Sequence, residues 1–210
     1  MKAALLQQGA LKVLELTTPE PCFEQARVRI RTAGVCHSDL HIVRGDWVGV
    51  PDTMPVGHEA IGTVEALGPG AERFIALGDR VILGLGGTGG GYWCGACEYC
   101  LGGEPRHCAQ AQGIMGTFAE EFCVYAKSLV KLPDSVGDEE APLACGGLTA
   151  YGAVKKLLTH EVRPPSPVAI IGAAGGLGHD AVQLAKAFGY TGVGIDVGEE
   201  RRKFVESIGA

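Results

Sequence analysis

Four cysteines stand close together in the middle of this chain. Cys94, Cys97, Cys100 and Cys108 form the pattern C-x2-C-x2-C-x7-C. Four thiolates from one short loop can surround a tetrahedral Zn²⁺ at about 2.3 Å and close it to water. A site of that kind orders a loop that has little core of its own. An iron–sulfur cluster is the rival metal, but the bacterial ferredoxin run ends C-x3-C-P and this run does not. Of the other cysteines, Cys22 and Cys123 lack ligand-type neighbours and read as small core thiols. Cys36 lies in Gly34-Val35-Cys36-His37-Ser38-Asp39, His58 in Gly57-His58-Glu59, and Cys145 in Ala144-Cys145-Gly146-Gly147-Leu148-Thr149. A catalytic zinc takes three protein ligands and leaves one position open. Each of these segments alone suits an ordinary loop better than a ligand. Together with the four-cysteine loop they become candidates for a second metal centre.

A second kind of chemistry is written further along. Gly172-x-x-Gly175-Gly176-x-Gly178 follows the apolar run Val168-Ala169-Ile170-Ile171 and opens a helical pattern. Glycines there let a backbone approach a pyrophosphate at a helix N-terminus, where free N–H groups and the dipole favour an anion. Asp196 follows Gly172 by 24 residues and ends a second apolar run. A carboxylate at that place binds the adenosine ribose hydroxyls and repels a 2′-phosphate, which favours NAD over NADP. The bland alternative is that Asp196 is a helix cap.

These residues need scaffolds. Residues 1 to 150 read as mostly β. Arg27-Val28-Arg29-Ile30-Arg31 alternates as a half-exposed strand does, and Ile61–Leu67 and Val81–Leu85 are short apolar runs between Gly, Pro and Asp. Gly84–Gly91 holds six glycines in eight residues and is expected as a flexible loop. The segment Arg163–Pro167 is a breaker. Beyond it the pattern is β-α-β-α: a buried strand, a helix with Ala181, Leu184, Ala185 and Phe188 on one face, a strand over Gly192–Asp196, and a helix over Glu199–Ile208. That is the opening half of a doubly wound sheet. The expected division is 1–150 and 151–210.

The chain has 210 residues, 46% hydrophobic, 20% charged and 6% aromatic, with no internal repeat. Such a composition excludes a disordered tail, a collagen and a coiled coil. The 18 Lys and Arg against 24 Asp and Glu give a net charge of −6 without a basic block, so nucleic acid and an anionic membrane surface are not expected partners. No apolar run approaches the ~18 residues of a membrane span. The first sixteen residues are too weakly apolar for a signal-peptide core. The expected compartment is therefore the reducing cytoplasm, where eight cysteines are thiols or metal ligands.

With these residues the sequence resembles the zinc-dependent medium-chain alcohol dehydrogenases of the ethanol type, fungal and bacterial. The anchors run in order through Gly34–His41, Gly45-Asp46-Trp47, Gly57-His58-Glu59, Gly78-Asp79-Arg80-Val81, the four cysteines, Gly116–Glu120, Ala144–Tyr151 and Gly172–Gly178. The resemblance implies an α/β fold with a β-rich part: a GroES-like catalytic domain carrying two Zn²⁺, then a Rossmann domain for NAD. It implies Cys36, His58 and Cys145 as the catalytic zinc ligands. Glu59 is implied as a neighbouring carboxylate that can approach the metal, and Asp39 as the partner holding His58 in its metal-binding tautomer. Ser38 and His41 are implied as a proton relay, His37 as a pyrophosphate contact, and Thr149, Leu177 and Arg201 as further cofactor positions. The implied chemistry is reversible: zinc acidifies an alcohol, the proton leaves through Ser38, the nicotinamide ribose and His41, and hydride passes between the alcohol carbon and NAD⁺.

The sequence also departs from that pattern. The Trp47–His58 spacer is one residue short, the glycine stretch before Cys94 is long, and Cys108–Gly116 is short by about five. The glycine stretch replaces a segment that places an aromatic over the substrate, leaving Trp47 to narrow the pocket. The resembling enzymes continue past residue 210, so the second domain is expected to be incomplete. A related zinc reductase or polyol dehydrogenase, and a non-catalytic zinc-binding module, are the other readings. Cys145 argues against the polyol type, which often uses a carboxylate there. A small alcohol or aldehyde and further copies of the chain are the expected partners.

Overall fold

A computed structural model describes residues 1–84 and 91–210. The expected glycine loop falls, over 85–90, outside the described residues. The chain separates into two compact units, Met1–Cys145 and Gly146–Ala210.

The first unit is β-rich. Its strands are β1 (Lys2–Gln7), β2 (Ala10–Glu15), β3 (Gln25–Ala33), β4 (Thr53–Pro55), β5 (Ala60–Leu67), β6 (Arg80–Leu83), β7 (Glu121–Tyr125) and β8 (Val130–Lys131), with the short helices α1 (His37–Arg44) and α2 (Glu98–Leu101). Five strands form one sheet in the order β7-β3-β5-β6-β8, and three form another in the order β2-β1-β4. All these pairings are antiparallel. The alternation expected for β3 is what folds it. Ala26 and Val28 point into a core with Val64, Val81 and Leu83, while Arg29 and Arg31 face outward. Burying each such Val or Leu contributes about 1.5–3 kcal/mol. The expected strand at 81–85 is observed as β6.

Cys22 is not a core thiol: its side chain is exposed. The backbone is what turns inward here. Cys22 N donates to Gln25 Oε1 at 3.0 Å, and its carbonyl oxygen lies 1.8 Å from where a Cβ on Gly68 would sit. With the main chain packed that closely, the thiol faces out. Cys123 is half-buried, and burial pushes its thiol up to about 11.

The second unit holds α3 (Gly146–Thr159), β9 (Pro167–Ile171), α4 (Gly176–Ala187), β10 (Thr191–Ile195) and α5 (Glu199–Ile208). β9 and β10 pair in parallel, Val168 beside Gly192 and Ile170 beside Gly194. A parallel pair needs a crossover, and α4 supplies it. Val182 and Ala185 of α4 pack on Ile170 and Val205. Among the described residues no helix is long and apolar enough to cross a membrane.

Candidate active site and metal centres

Cys36, His58, Glu59 and Cys145 converge from three places in the first unit. Cys36 is the residue before α1, three beyond the end of β3, and accepts the start of the helix. His58 and Glu59 lead into β5. Cys145 closes a 3₁₀ segment over Asp138–Ala144. One ligand-type atom from each of the four lies within 4.8 Å of all the others. Gly34 makes room for this: a Cβ there would stand 2.2 Å from Glu59 Oε2.

Asp39 ties two of these residues together. One carboxylate oxygen accepts the Cys36 backbone N–H at 2.9 Å, and the other pairs with His58 Nδ1 at 3.1 Å. Asp39 is buried, at 3% exposure. With Nδ1 committed, Nε2 is the nitrogen left for the cluster, and it lies 4.0 Å from Glu59 Oε1. The hydrogen bond to Asp39 pushes His58 up to about 9. Burial, with Cys36 and Glu59 nearby, pushes the Cys145 thiol up to about 12. A half-buried set of two thiols, an imidazole and a carboxylate is rich in potential negative charge. A divalent cation reverses the cost of deprotonating those thiols. This donor set therefore fits zinc, with two sulfurs and one nitrogen as ligands.

A cavity of about 390 Å³ opens on the cluster. His58, Cys145 and Ser38 are its polar lining, and Ile42, Trp47, Ile114 and Met115 supply apolar walls. Ile114 and Met115 lie outside the sequence-derived candidates. They sit in the stretch where Cys108–Gly116 is short, and no periodicity marks them. His41 Nδ1 pairs with Asp46 Oδ2 at 2.8 Å, its ring stacks on Trp47 at 5.6 Å, and His37 meets it edge-on at 4.8 Å. Asp46, named from the sequence only within the Gly45-Asp46-Trp47 anchor, thus joins the site through His41.

The four-cysteine loop is also closed on itself. Cys97 Sγ and Cys94 Sγ lie 3.5 and 3.9 Å from Cys100 Sγ. Tetrahedral zinc at 2.3 Å from each sulfur places sulfurs about 3.8 Å apart. The N–H groups of Ala96 and Cys97 donate to Cys94 Sγ at 3.5 and 3.3 Å, and that of Gln110 to Cys108 Sγ at 3.3 Å. Backbone donors hold Cys94 down to about 6, while burial pushes Cys100 up to about 12.

The second unit carries the glycine turn. Gly175 precedes α4, whose first residues Gly176, Leu177 and Gly178 have N–H groups without partners in the helix. A Cβ on Gly178 would stand 2.0 Å from the Gly172 carbonyl oxygen, so only glycine fits the close turn. Asp196 Oδ2 accepts the Ala174 N–H at 2.8 Å, Oδ1 accepts the Val197 N–H at 2.8 Å, and Arg201 lies 3.4 Å away. Those two N–H groups, with Arg201 beside them, hold Asp196 below the usual carboxylate range. Its position tethers the turn to the end of β10. Thr149 lies exposed in the first turn of α3.

The family described as "Alcohol dehydrogenase GroES-like domain" matches residues 23–134. The chain belongs to that family. Among its alcohol dehydrogenase relatives, one from Geobacillus stearothermophilus is 39% identical across 100% of this chain and 62% of its own length. The crystal structure of an NAD-dependent alcohol dehydrogenase matches all of this chain and 62% of its own, with a TM-score of 0.87 at 30% identity. The cobalt- and zinc-bound alcohol dehydrogenase of Pyrobaculum aerophilum gives 0.85 at 31% identity, covering 100% of this chain and 64% of that one. The chain thus spans about three-fifths of the length of the relatives it matches.

Proposed function

We propose that this protein is a zinc- and NAD-dependent alcohol dehydrogenase acting on a primary or small secondary alcohol. The observation that carries the reading is the Cys36–His58–Cys145 cluster, of which His58 and Cys145 line a cavity with largely apolar walls. The polar lining suits a metal and a hydroxyl, the apolar walls a short hydrocarbon chain. Zinc held by Cys36, His58 and Cys145 would supply Lewis acidity toward an alcohol oxygen, and a second zinc in the four-cysteine loop would supply structure alone. NAD would supply the hydride acceptor.

The chain's own residues account for the rest. Asp39 fixes the His58 tautomer. Ser38 lines the same cavity as His58 and Cys145, and its hydroxyl suits taking a proton from the substrate. His41, oriented by Asp46 and Trp47, is the next acceptor toward solvent. Trp47, Ile42, Ile114 and Met115 exclude water and limit substrate size. In the second unit the N–H groups opening α4 suit a pyrophosphate; in the first, His37 offers an exposed imidazole to an anion. Asp196 suits the ribose, with Thr149 and Arg201 as further contacts. A homo-oligomer belongs to this reading, as the family resemblance implies.

The test is incubation of the zinc-loaded protein with NAD⁺ and ethanol. The expected result is a rise in NADH absorbance that a chelator abolishes. A folded, zinc-loaded protein that gives no rise, with ethanol or with longer primary alcohols, contradicts the proposal.

A further inference from the structure

The third ligand of the mixed cluster arrives on a segment with little intrinsic hold. Cys145 ends the 3₁₀ run Asp138–Ala144, which contains Pro142 and has no side-chain cap at its start. Its buried face consists of Ala141 and Ala144 against Ile61 and Ile82. Two alanine methyls set how deep the segment lies but give little shape to stop it sliding or rolling on the sheet. Cys36 and His58, by contrast, follow or precede strands of that sheet and are held by Asp39.

What stops the slide is charge. Asp138 opens the segment, and two arginines from separate elements grip it. Arg31 of β3 places Nε 2.6 Å from Oδ2, and Arg80 of β6 places Nη1 3.4 Å from Oδ1. Arg80 also donates from Nη2 to the Pro133 carbonyl at 2.9 Å and to the Val136 carbonyl. The clamp therefore holds the whole connection from β8 to Cys145. Arg31 lies on β3, five residues before Cys36, which follows the end of that strand, and Asp138 lies seven before Cys145. One ion pair thus fixes the register of the third ligand against the first.

We propose that Asp138, through Arg31 and Arg80, is a positioning residue for Cys145 and so for the metal affinity of the mixed site. The inference rests on the proposed role of Cys36, His58 and Cys145 as ligands. Cadmium-113 NMR of the cadmium-loaded 210-residue chain tests it, because a four-thiolate site and a two-thiolate, one-imidazole site give separate resonances. Competition with a graded chelator then reads each affinity. Asp138→Asn is expected to weaken the mixed site about 10-fold relative to the four-cysteine site, the scale on which supporting shells affect metal binding. Asp138→Glu recovers most of it. Arg31→Gln leaves the Arg80 contacts in place and costs about threefold, as a half-exposed ion pair does. A wild-type chain without the two-thiolate resonance overturns the metal reading and the clamp together. A wild-type chain with both resonances, and variants whose ratio of affinities is unchanged, overturns the clamp alone. So does a loss of thermal stability with that ratio unchanged.

Discussion

Asp39→Asn is the most informative single substitution at the mixed site. Asp39 accepts twice, from the Cys36 N–H at 2.9 Å and from His58 Nδ1 at 3.1 Å, and it is buried. Asparagine has the same shape but offers one acceptor and one donor. Whichever way the amide is flipped, its NH₂ faces a donor: the Cys36 N–H or the His58 Nδ1–H. Relieving that clash leaves one donor unpaired or turns the imidazole to its other tautomer, which presents a proton to the metal. A hydrogen bond to a charged group is worth about 1.5–3 kcal/mol. At about 1.4 kcal/mol per tenfold, that is roughly a 10- to 100-fold loss of zinc affinity, the range found when such supporting partners are removed. The four-cysteine site shares no residue with Asp39 and keeps its affinity. Competition with a chromophoric chelator, read as two successive releases of zinc, separates the sites. Equal release from both sites, or no change at either, refutes the reasoning.

Three further outcomes follow from other contacts. Ser38→Ala is expected to lower turnover about 100-fold while leaving zinc content unchanged, as loss of a proton-transfer group does; unchanged turnover removes Ser38 from the relay. Asp196 is held below the usual carboxylate range by the Ala174 and Val197 N–H groups. Its contribution is therefore present above about pH 4 and lost as pH falls through the lower folded value. Protection of the Ala174 amide relative to its intrinsic exchange rate should fall in that window and be low throughout in Asp196→Ala, and a protection insensitive to both counts against the tether. Lys127 lies over the rings of Tyr92, Trp93 and Tyr125 and donates to the Trp93 carbonyl, next to Cys94. Lys127→Met should destabilise this attachment by about 1–2 kcal/mol and speed zinc release from the four-cysteine loop, whereas equal release rates contradict that role.

Much of the fold was legible because its signals are local. The alternation in β3 needs only a buried and a solvated face. The helix over 199–208 coincides with its pattern because Gly198 and Gly209 bracket it. The clustering of Cys94, Cys97, Cys100 and Cys108 was legible for the same reason, since one short loop brings four sulfurs together. The convergence of Cys36, His58 and Cys145 is non-local: no spacing along the chain indicates that a strand end, a strand start and a 3₁₀ segment meet. The ordered anchors of the family resemblance carried that expectation. The pairing of Asp138 with Arg31 and Arg80 was not legible, because ion pairs between separate elements leave no periodic trace. Cys22 misled because a cysteine's usual burial says nothing of a turn where the backbone, not the side chain, faces the neighbouring strand.

Zinc content of the purified chain by native mass spectrometry tests the central claim most directly. Two zinc ions per 210-residue chain are expected, one lost in Cys145→Ser and the other in Cys100→Ser, each variant keeping the remaining ion. A folded wild-type chain carrying no zinc, or a single ion that survives the loss of Cys100 and is unaffected by the loss of Cys145, contradicts it.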